Sequence, residues 1–305
     1  MTQQPSASAP TGSENGEWIS WNGNITHNYK VKTSALTESD IQKAVLRSPN
    51  IRPLGTGQSS ADIVAGPDDL IDMRRYNQII EIDRSSMQIR VESGILLSEL
   101  LRSLEDIGWT IPCLPDNDSI TLGGAISTGT HGTSGGGKTL SEYMVGCRIV
   151  DARGNIREYG NEHEHMPALR VSMGLLGVFT EITLQCEPLT RLLVREEPVK
   201  DEIWLDNWQD WLKEHYFLRL LWIPHSGYAY KITADPLAQE EAKAKAEERR
   251  IELQDAPDFV KHRREFSRFL YSWDSPGFTR FSNRLIRRLF STTERCTPAA
   301  SMNQR

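Results

Sequence analysis

Apolar positions in the first half of the chain form short runs that alternate between helical and strand character. Leu36 to Leu46, introduced by Ser34 and with Asp40 in an early turn, predicts a helix. Ile79–Ile82 and Met87–Val91 predict two strands flanking a turn at Asp83 to Ser86. From Leu96 to Leu104, leucines at 96, 97, 100, 101 and 104 share one broad face, which predicts an amphipathic helix closed by Gly108. Cys147-Arg-Ile-Val-Asp151 predicts a further strand, ended by the turn Ala152-Arg-Gly-Asn155. Helices and strands that alternate with glycine turns favour an α+β domain over an all-helical one, and no periodic repeat is visible.

The pattern changes near Pro188. Trp204, Trp208 and Trp211 recur at helical spacing, an aromatic stripe that predicts a core-facing helix. Ala238 to Leu253 is almost entirely Ala, Glu, Lys, Arg and Gln, a helix-forming and solvated stretch. Phe278, Phe281, Leu285 and Leu289 share one helical face, opposite Arg280, Arg284, Arg287 and Arg288. Such a helix either packs its apolar face inward or lies on an anionic membrane surface.

Composition narrows the classes. The 305 residues are 38% hydrophobic and 25% charged with a net charge of −6, the profile of a soluble globular protein. A mildly acidic chain without a basic stripe is a poor partner for nucleic acid. Cys113, Cys147, Cys186 and Cys296 are scattered, with no C-x-x-C and no paired histidines nearby, so neither a metal site nor a disulfide framework is expected. That scatter fits a cytoplasmic location, with peripheral membrane association open through the arginine-faced helix. Met1 to Gly16 is polar and lacks the apolar stretch of a signal peptide, which predicts a disordered tail over residues 1–17.

Candidate chemistry lies in two glycine-rich turns, one from Ile51 to Ile63 and one from Pro115 to Thr139. Glycine at this density lets the backbone approach a ligand closely, and consecutive N–H groups can cradle anionic oxygens. Two such loops suggest a ligand with a long phosphate-bearing spine, held by main chain more than by charge, and a dinucleotide fits. The second loop also contains Gly132-Thr-Ser-Gly-Gly-Gly137-Lys138-Thr139, which satisfies the triphosphate-loop pattern G-x-x-x-x-G-K-T. That pattern needs a buried strand before it and a helix after it. Here Gly123 to Gly132 is small and polar, and Leu140 to Val145 leaves little room for the helix, so the match is expected to be accidental.

Four blocks resemble, in order, those of the FAD-linked oxidases of the vanillyl-alcohol oxidase superfamily, and within it the sugar-1,4-lactone oxidases (D-arabinono-, L-gulono- and L-galactono-1,4-lactone). They are Arg52 to Ser59, Val91 to Leu100, Asp116 to Gly132, and Ser172-Met-Gly-Leu-Leu-Gly-Val-Phe-Thr-Glu-Ile-Thr-Leu184; a weaker fifth block is Leu220-Leu-Trp-Ile-Pro-His-Ser226. The resemblance implies an α+β fold with a PCMH-type FAD-binding domain over residues 18–190. Its small subdomain would cover about 24–83 and its larger one about 84–190, with a partial substrate (cap) domain over 191–305. It implies that Gly55, Thr56, Gly57, Gln58 and Ser59 wrap the pyrophosphate, and that Asp116, Thr121, Gly124, Ser127 and His131 run along it toward the flavin. Val178 would meet the ring or ribityl end through its backbone. The implied reaction oxidises the C2 hydroxyl of an aldono-1,4-lactone by hydride transfer to flavin N5, with O2 or another acceptor taking the electrons.

Two departures from the family pattern matter. Members with covalent flavin carry histidine after the second glycine of the first loop, whereas this chain has Gln58, so FAD is expected to be held non-covalently. The closing strands of the substrate domain, with their acid–base pair and a His-Trp-Gly motif, are not found before Arg305. The chain is therefore expected to be cut inside that domain, with its catalytic residues beyond Arg305; were they internal, His131, Glu181 and His225 would be the candidates. Alternatives kept open are an alditol or polyol oxidase of the same superfamily and a flavin-binding remnant without turnover.

Overall fold

A computed structural model of the chain describes residues 12–132, 138–237 and 293–298. The described residues fall into two compact units divided after Pro188.

The first unit begins with a four-stranded sheet. Strand β1 (Gly12–Ile19) pairs antiparallel with β2 (Thr26–Ser34); helix α1 (Glu38–Arg47) follows, and then β3 (Ile51–Leu54) and β4 (Asp69–Asp72) complete the order β1-β2-β4-β3. β2 and β3 both run parallel to β4. The expected tail over residues 1–17 is therefore corrected at 12–17, where the chain is a sheet edge: pairing with β2 satisfies a polar segment that has no apolar run to announce it. The cap of α1 is Thr37, not Ser34. Its hydroxyl accepts from Asp40 N–H at 3.2 Å while the Asp40 carboxylate accepts from Thr37 N–H at 2.9 Å, a reciprocal capping box.

The second sheet is antiparallel. It contains β5 (Ile79–Asp83) and β6 (Gln88–Glu92), after which come α2 (Leu97–Asp106), the short β7 (Trp109–Thr110) and α3 (Leu122–Ser127). β8 (Met144–Val150), β9 (Ile156–Gly160), the short α4 (Met166–Leu169) and β10 (Val178–Gln185) complete the order β5-β6-β10-β8-β9. β11 (Glu187–Pro188) pairs back on β7. Because β5 forms a hairpin with β6, the change of sheet falls between Asp72 and Ile79 rather than at residue 83. α1 sits between the two sheets: Ile41, Ala44 and Val45 pack with Ile71 and Met73 from one side and Val150 and Val178 from the other. The same helix is tied to the second sheet by Arg148, whose guanidinium donates to both Glu38 carboxylate oxygens at 2.8 and 2.9 Å, and by Thr180 Oγ1, which donates to Glu38 at 2.9 Å. The Arg148 hydrogen bonds hold the Glu38 carboxyl below its ordinary range.

The second unit is a four-stranded antiparallel sheet with one helix on it. β12 (Arg191–Lys200), α5 (Asp201–Glu214), β13 (Phe217–Ile223), β14 (Tyr228–Pro236) and β15 (Thr293–Pro298) give the strand order β13-β14-β12-β15. Leu192, Val194, Phe217, Ile232 and Ala234 form its core. α5 carries the tryptophan stripe, yet none of its residues is buried: Trp204 and Trp211 are half-buried and Trp208 is 40% exposed. The expectation of a core helix is corrected accordingly. Trp211 lies instead under the Lys231 ammonium, 4.4 Å from the ring centroid, a cation–π contact at the surface. The expected helices over 238–253 and 278–289 lie outside the described residues.

Candidate functional site

β3 delivers the chain to the first glycine turn. Leu54 is packed with Tyr29, Val64 and Leu70, and with the partly buried Trp18 and Ile63, which fixes the strand end where the turn begins. A Cβ on Gly55 would overlap Thr121 Oγ1. Gly57 is left-handed (φ +69°), and its α-carbon faces the Trp18 indole so closely that a Cβ would stand 3.2 Å from Cζ2. Among the described residues, none of the main-chain N–H groups from Thr56 to Ser60 donates to a protein acceptor. A row of unused donors on a glycine turn is a natural receptor for anionic oxygens.

The second turn is held by the segment between β6 and α2. Ser98, Leu97, Leu122 and Gly123 donate main-chain hydrogen bonds of 2.8–2.9 Å to Asp118, Ile120, Ile95 and Ser93, lacing residues 118–123 to 93–98. Ser93 is itself fixed on the first turn of β10: its N–H donates to Thr180 O at 2.9 Å and its buried hydroxyl donates to Phe179 O at 2.6 Å. Gly94 must lack a side chain here, since a Cβ would overlap Met73 O. The block Val91–Leu100, whose role the sequence left unspecified, is thus the clamp that sets the second turn against the sheet.

Between these parts lies a cavity of about 450 Å³, an ordinary size for a small-molecule site. Gly55, Thr56, Gly57, Gln58 and Ser59 line it from one side, and Thr121, Gly124 and Ser127 from the other. Asn117 Nδ2 donates to Gln58 Oε1 at 3.4 Å and bridges the two turns. The wall opposite is built from Met173, Gly174, Gly177 and Phe179. Met173 adopts a left-handed conformation (φ +48°), held there by its N–H to Ser127 O at 3.0 Å and by Arg52, whose guanidinium donates to Met173 O at 3.1 Å. Arg52, Ser93, Asn117, Met173, Gly174, Gly177 and Phe179 lie in the blocks that carry the resemblance but were not singled out as site residues. The available signals were the lone cation in the apolar run before Gly55 and the paired glycines of the fourth block.

Two residues expected at the site lie elsewhere. Asp116 is exposed and does not line the cavity, because the turn presents its neighbours Pro115 and Asn117 inward instead. His131 is an exposed residue in an isolated bridge with Thr139, its ring nitrogen 3.3 Å from Gly132 O, again outside the lining. Val178, expected to meet the ligand through its backbone, turns its side chain into the hydrophobic core with α1, and its main chain runs between Gly177 and Phe179, which both line the cavity. Lys138 is also outside it. Its ammonium lies 5.6 Å from the Tyr143 ring centroid, the element before it is helix α3, and only a four-residue 3₁₀ turn follows (Leu140–Tyr143). The triphosphate pattern has neither its strand nor its helix.

Among the described residues, no carboxylate, histidine or cysteine lines the cavity. Glu181 faces Arg90 at 3.3 Å and Arg148 at 3.8 Å within the second sheet, and burial pushes the Cys147 and Cys186 thiols up to about 12, so neither is a nucleophile at neutral pH. His225 occupies a left-handed turn position in the second unit. No group of His, Cys, Asp and Glu among the described residues could hold a metal ion. The cavity is therefore a binding cradle, and redox chemistry in it would come from what it holds.

Comparison with known proteins gives that cradle a family. Residues 35–160 match the FAD binding domain family, and residues 182–301 match the D-arabinono-1,4-lactone oxidase family. The two matches follow one another along the chain, and each covers less than half of it. L-gulonolactone oxidase of Mus musculus is 33% identical over 187 residues, covering 60% of this chain and 42% of that protein. D-arabinono-1,4-lactone oxidase of Eremothecium gossypii is 30% identical over 191 residues, covering 61% and 36%. L-galactono-1,4-lactone dehydrogenase of Brassica oleracea is 26% identical over 227 residues, covering 72% and 38%. The chain thus spans about two fifths of the length of these curated relatives. Among solved structures, cholesterol oxidase from Brevibacterium sterolicum superposes with a TM-score of 0.66 at 16% identity, over 78% of this chain and 51% of that one. An alkyldihydroxyacetonephosphate synthase superposes with a TM-score of 0.61, over 72% and 50%. Both share the fold, that of PCMH-type FAD-binding oxidases.

FAD fits the residues present. The free N–H row of Thr56–Ser60 suits a diphosphate, and Gly55 and Gly57 let the turn pack against Thr121 and Trp18 with no side chain between.

Proposed function

We propose that this chain forms the cofactor-holding part of an FAD-dependent oxidoreductase that oxidises the C2 hydroxyl of an aldono-1,4-lactone, with FAD held non-covalently. The observation that carries the reading is the cavity in which both glycine turns, joined through Asn117 and Gln58, face one another with unused main-chain donors. FAD, when bound, supplies hydride acceptance at N5. The chain supplies the diphosphate cradle, the fixed distance between the turns and the wall at Met173–Phe179. The match of residues 182–301 to the D-arabinono-1,4-lactone oxidase family supports a lactone as substrate. Gln58 supports non-covalent binding, because a carboxamide is too weak a nucleophile to attach to the flavin ring. Electrons would pass to O2 or another acceptor, and the scattered cysteines support a cytoplasmic location.

Anaerobic mixing of the FAD-loaded chain with D-arabinono-1,4-lactone, L-gulono-1,4-lactone and an alditol tests the reading. Slow loss of the visible flavin absorbance with a lactone and not with the alditol is the expected result, slow because the acid–base pair expected of the substrate domain is not found before Arg305. Loss with the alditol alone would make it a polyol oxidase, and no loss with any of them at full FAD occupancy would make it a binding protein without turnover.

A further inference from the structure

Among the described residues, Arg52 is the one charged residue in the cavity lining. It pairs with no carboxylate among the described residues. One of its terminal nitrogens is used by Met173 O at 3.1 Å, which fixes the guanidinium against the cavity wall. Its Nε is buried without any hydrogen-bond partner. A buried donor on a permanent cation is costly to leave unpaired, so such a group marks a place where a partner is supplied from outside the chain. Four residues further on, the same β3–loop segment begins the unused N–H row. An anion that accepts from that row has a full positive charge within the same cavity.

We propose that Arg52 is the cation of the dinucleotide site and donates from its guanidinium to a phosphoryl oxygen of the cofactor. The proposal rests on the FAD reading above and adds a charge to a cradle otherwise made of main chain. Met173 O has two consequences for Arg52. It pre-orients the planar fork, so that little side-chain freedom is lost on binding, and it leaves the remaining donors for the ligand. The left-handed Met173 is then part of the same device, since in that conformation its carbonyl accepts from Arg52.

The test is FAD affinity, read by quenching of flavin fluorescence on the full chain at low and high salt, for the wild type, Arg52→Gln and Arg52→Lys. Loss of a charge-assisted hydrogen bond should weaken FAD binding by about ten- to a hundredfold in Arg52→Gln. Arg52→Lys, which keeps the charge without the fork, should recover a substantial part of that loss. The wild-type affinity should fall as salt rises, and Arg52→Gln should show a shallower fall. Unchanged affinity in Arg52→Gln overturns the proposal, as does Arg52→Lys binding no better than Arg52→Gln, which would make Arg52 only a pin for the Met173 turn. Should Arg52→Gln fail to fold, the wild-type salt dependence and Arg52→Lys decide alone: a salt-independent wild type with a weakened lysine variant overturns it. A wild type that takes up no FAD overturns the cofactor reading itself, a result distinct from all of these.

Discussion

Thr121 Oγ1 occupies the space that a side chain on Gly55 would fill. The two glycine turns are interlocked at this point, and neither position is free to change alone. Gly55→Ala should push the second turn away and weaken FAD binding by at least about tenfold, since overpacking costs about 1–3 kcal/mol. Thr121→Ala in the same chain removes the atom that clashes and should return part of the loss. FAD titration of the two single variants and the double variant checks this; strictly additive losses would show that the contact does not couple the turns.

Gly57 makes a different demand. Its left-handed φ and the Trp18 ring beneath it both exclude a branched side chain. Gly57→Val is expected to lose FAD retention while far-ultraviolet circular dichroism stays close to that of the wild type. Retained FAD in a folded Gly57→Val chain would mean that the first turn is not the cradle.

Lys138 should be dispensable to the cofactor. It lies outside the cavity, over the Tyr143 ring, so Lys138→Ala should keep the flavin content of the wild type. Magnesium–ATP binding by the wild type that disappears in Lys138→Ala would revive the triphosphate reading.

These positions show which parts of the site the sequence exposes. Gly55 and Gly57 were legible because backbone that meets a ligand must lack side chains, and glycine leaves that requirement in plain view. The helix at Leu97–Asp106 was legible because its leucines fall on one face. Arg52 was not, because an arginine at the end of a short strand looks the same whether it faces solvent or a cavity; only its bond to Met173, 121 residues away in sequence, reveals its place. Val178 was expected to meet the ligand through its main chain; that its side chain turns into the core with α1 depends on the pairing of β10 with β8 and β6, which the sequence does not display. Trp208 shows the limit of periodicity: the stripe predicted the helix correctly, yet how deeply α5 sinks onto its sheet is a property of the partner surface.

Stability should depend on pH through Glu38. Hydrogen bonds from Arg148 hold its folded-state pKa below the ordinary 4.5. A depressed carboxyl pKa stabilises the fold above the unfolded value, and the contribution is lost as pH falls through the folded one. Glu38→Gln should therefore lower stability at neutral pH by about 1–3 kcal/mol, with the gap to the wild type closing under acid. Thermal unfolding of both proteins from neutral to acidic pH checks it. A gap that widens as pH falls would contradict the assignment.

The central claim is that the cavity between the two glycine turns holds FAD without a covalent bond. The direct measurement is to saturate the chain with FAD, remove the excess, precipitate it with acid and read flavin in supernatant and pellet. One FAD per chain, released wholly to the supernatant and absent from the Gly57→Val variant treated in parallel, is the expected result. Flavin that stays in the pellet, or a chain that carries none before precipitation, would contradict it.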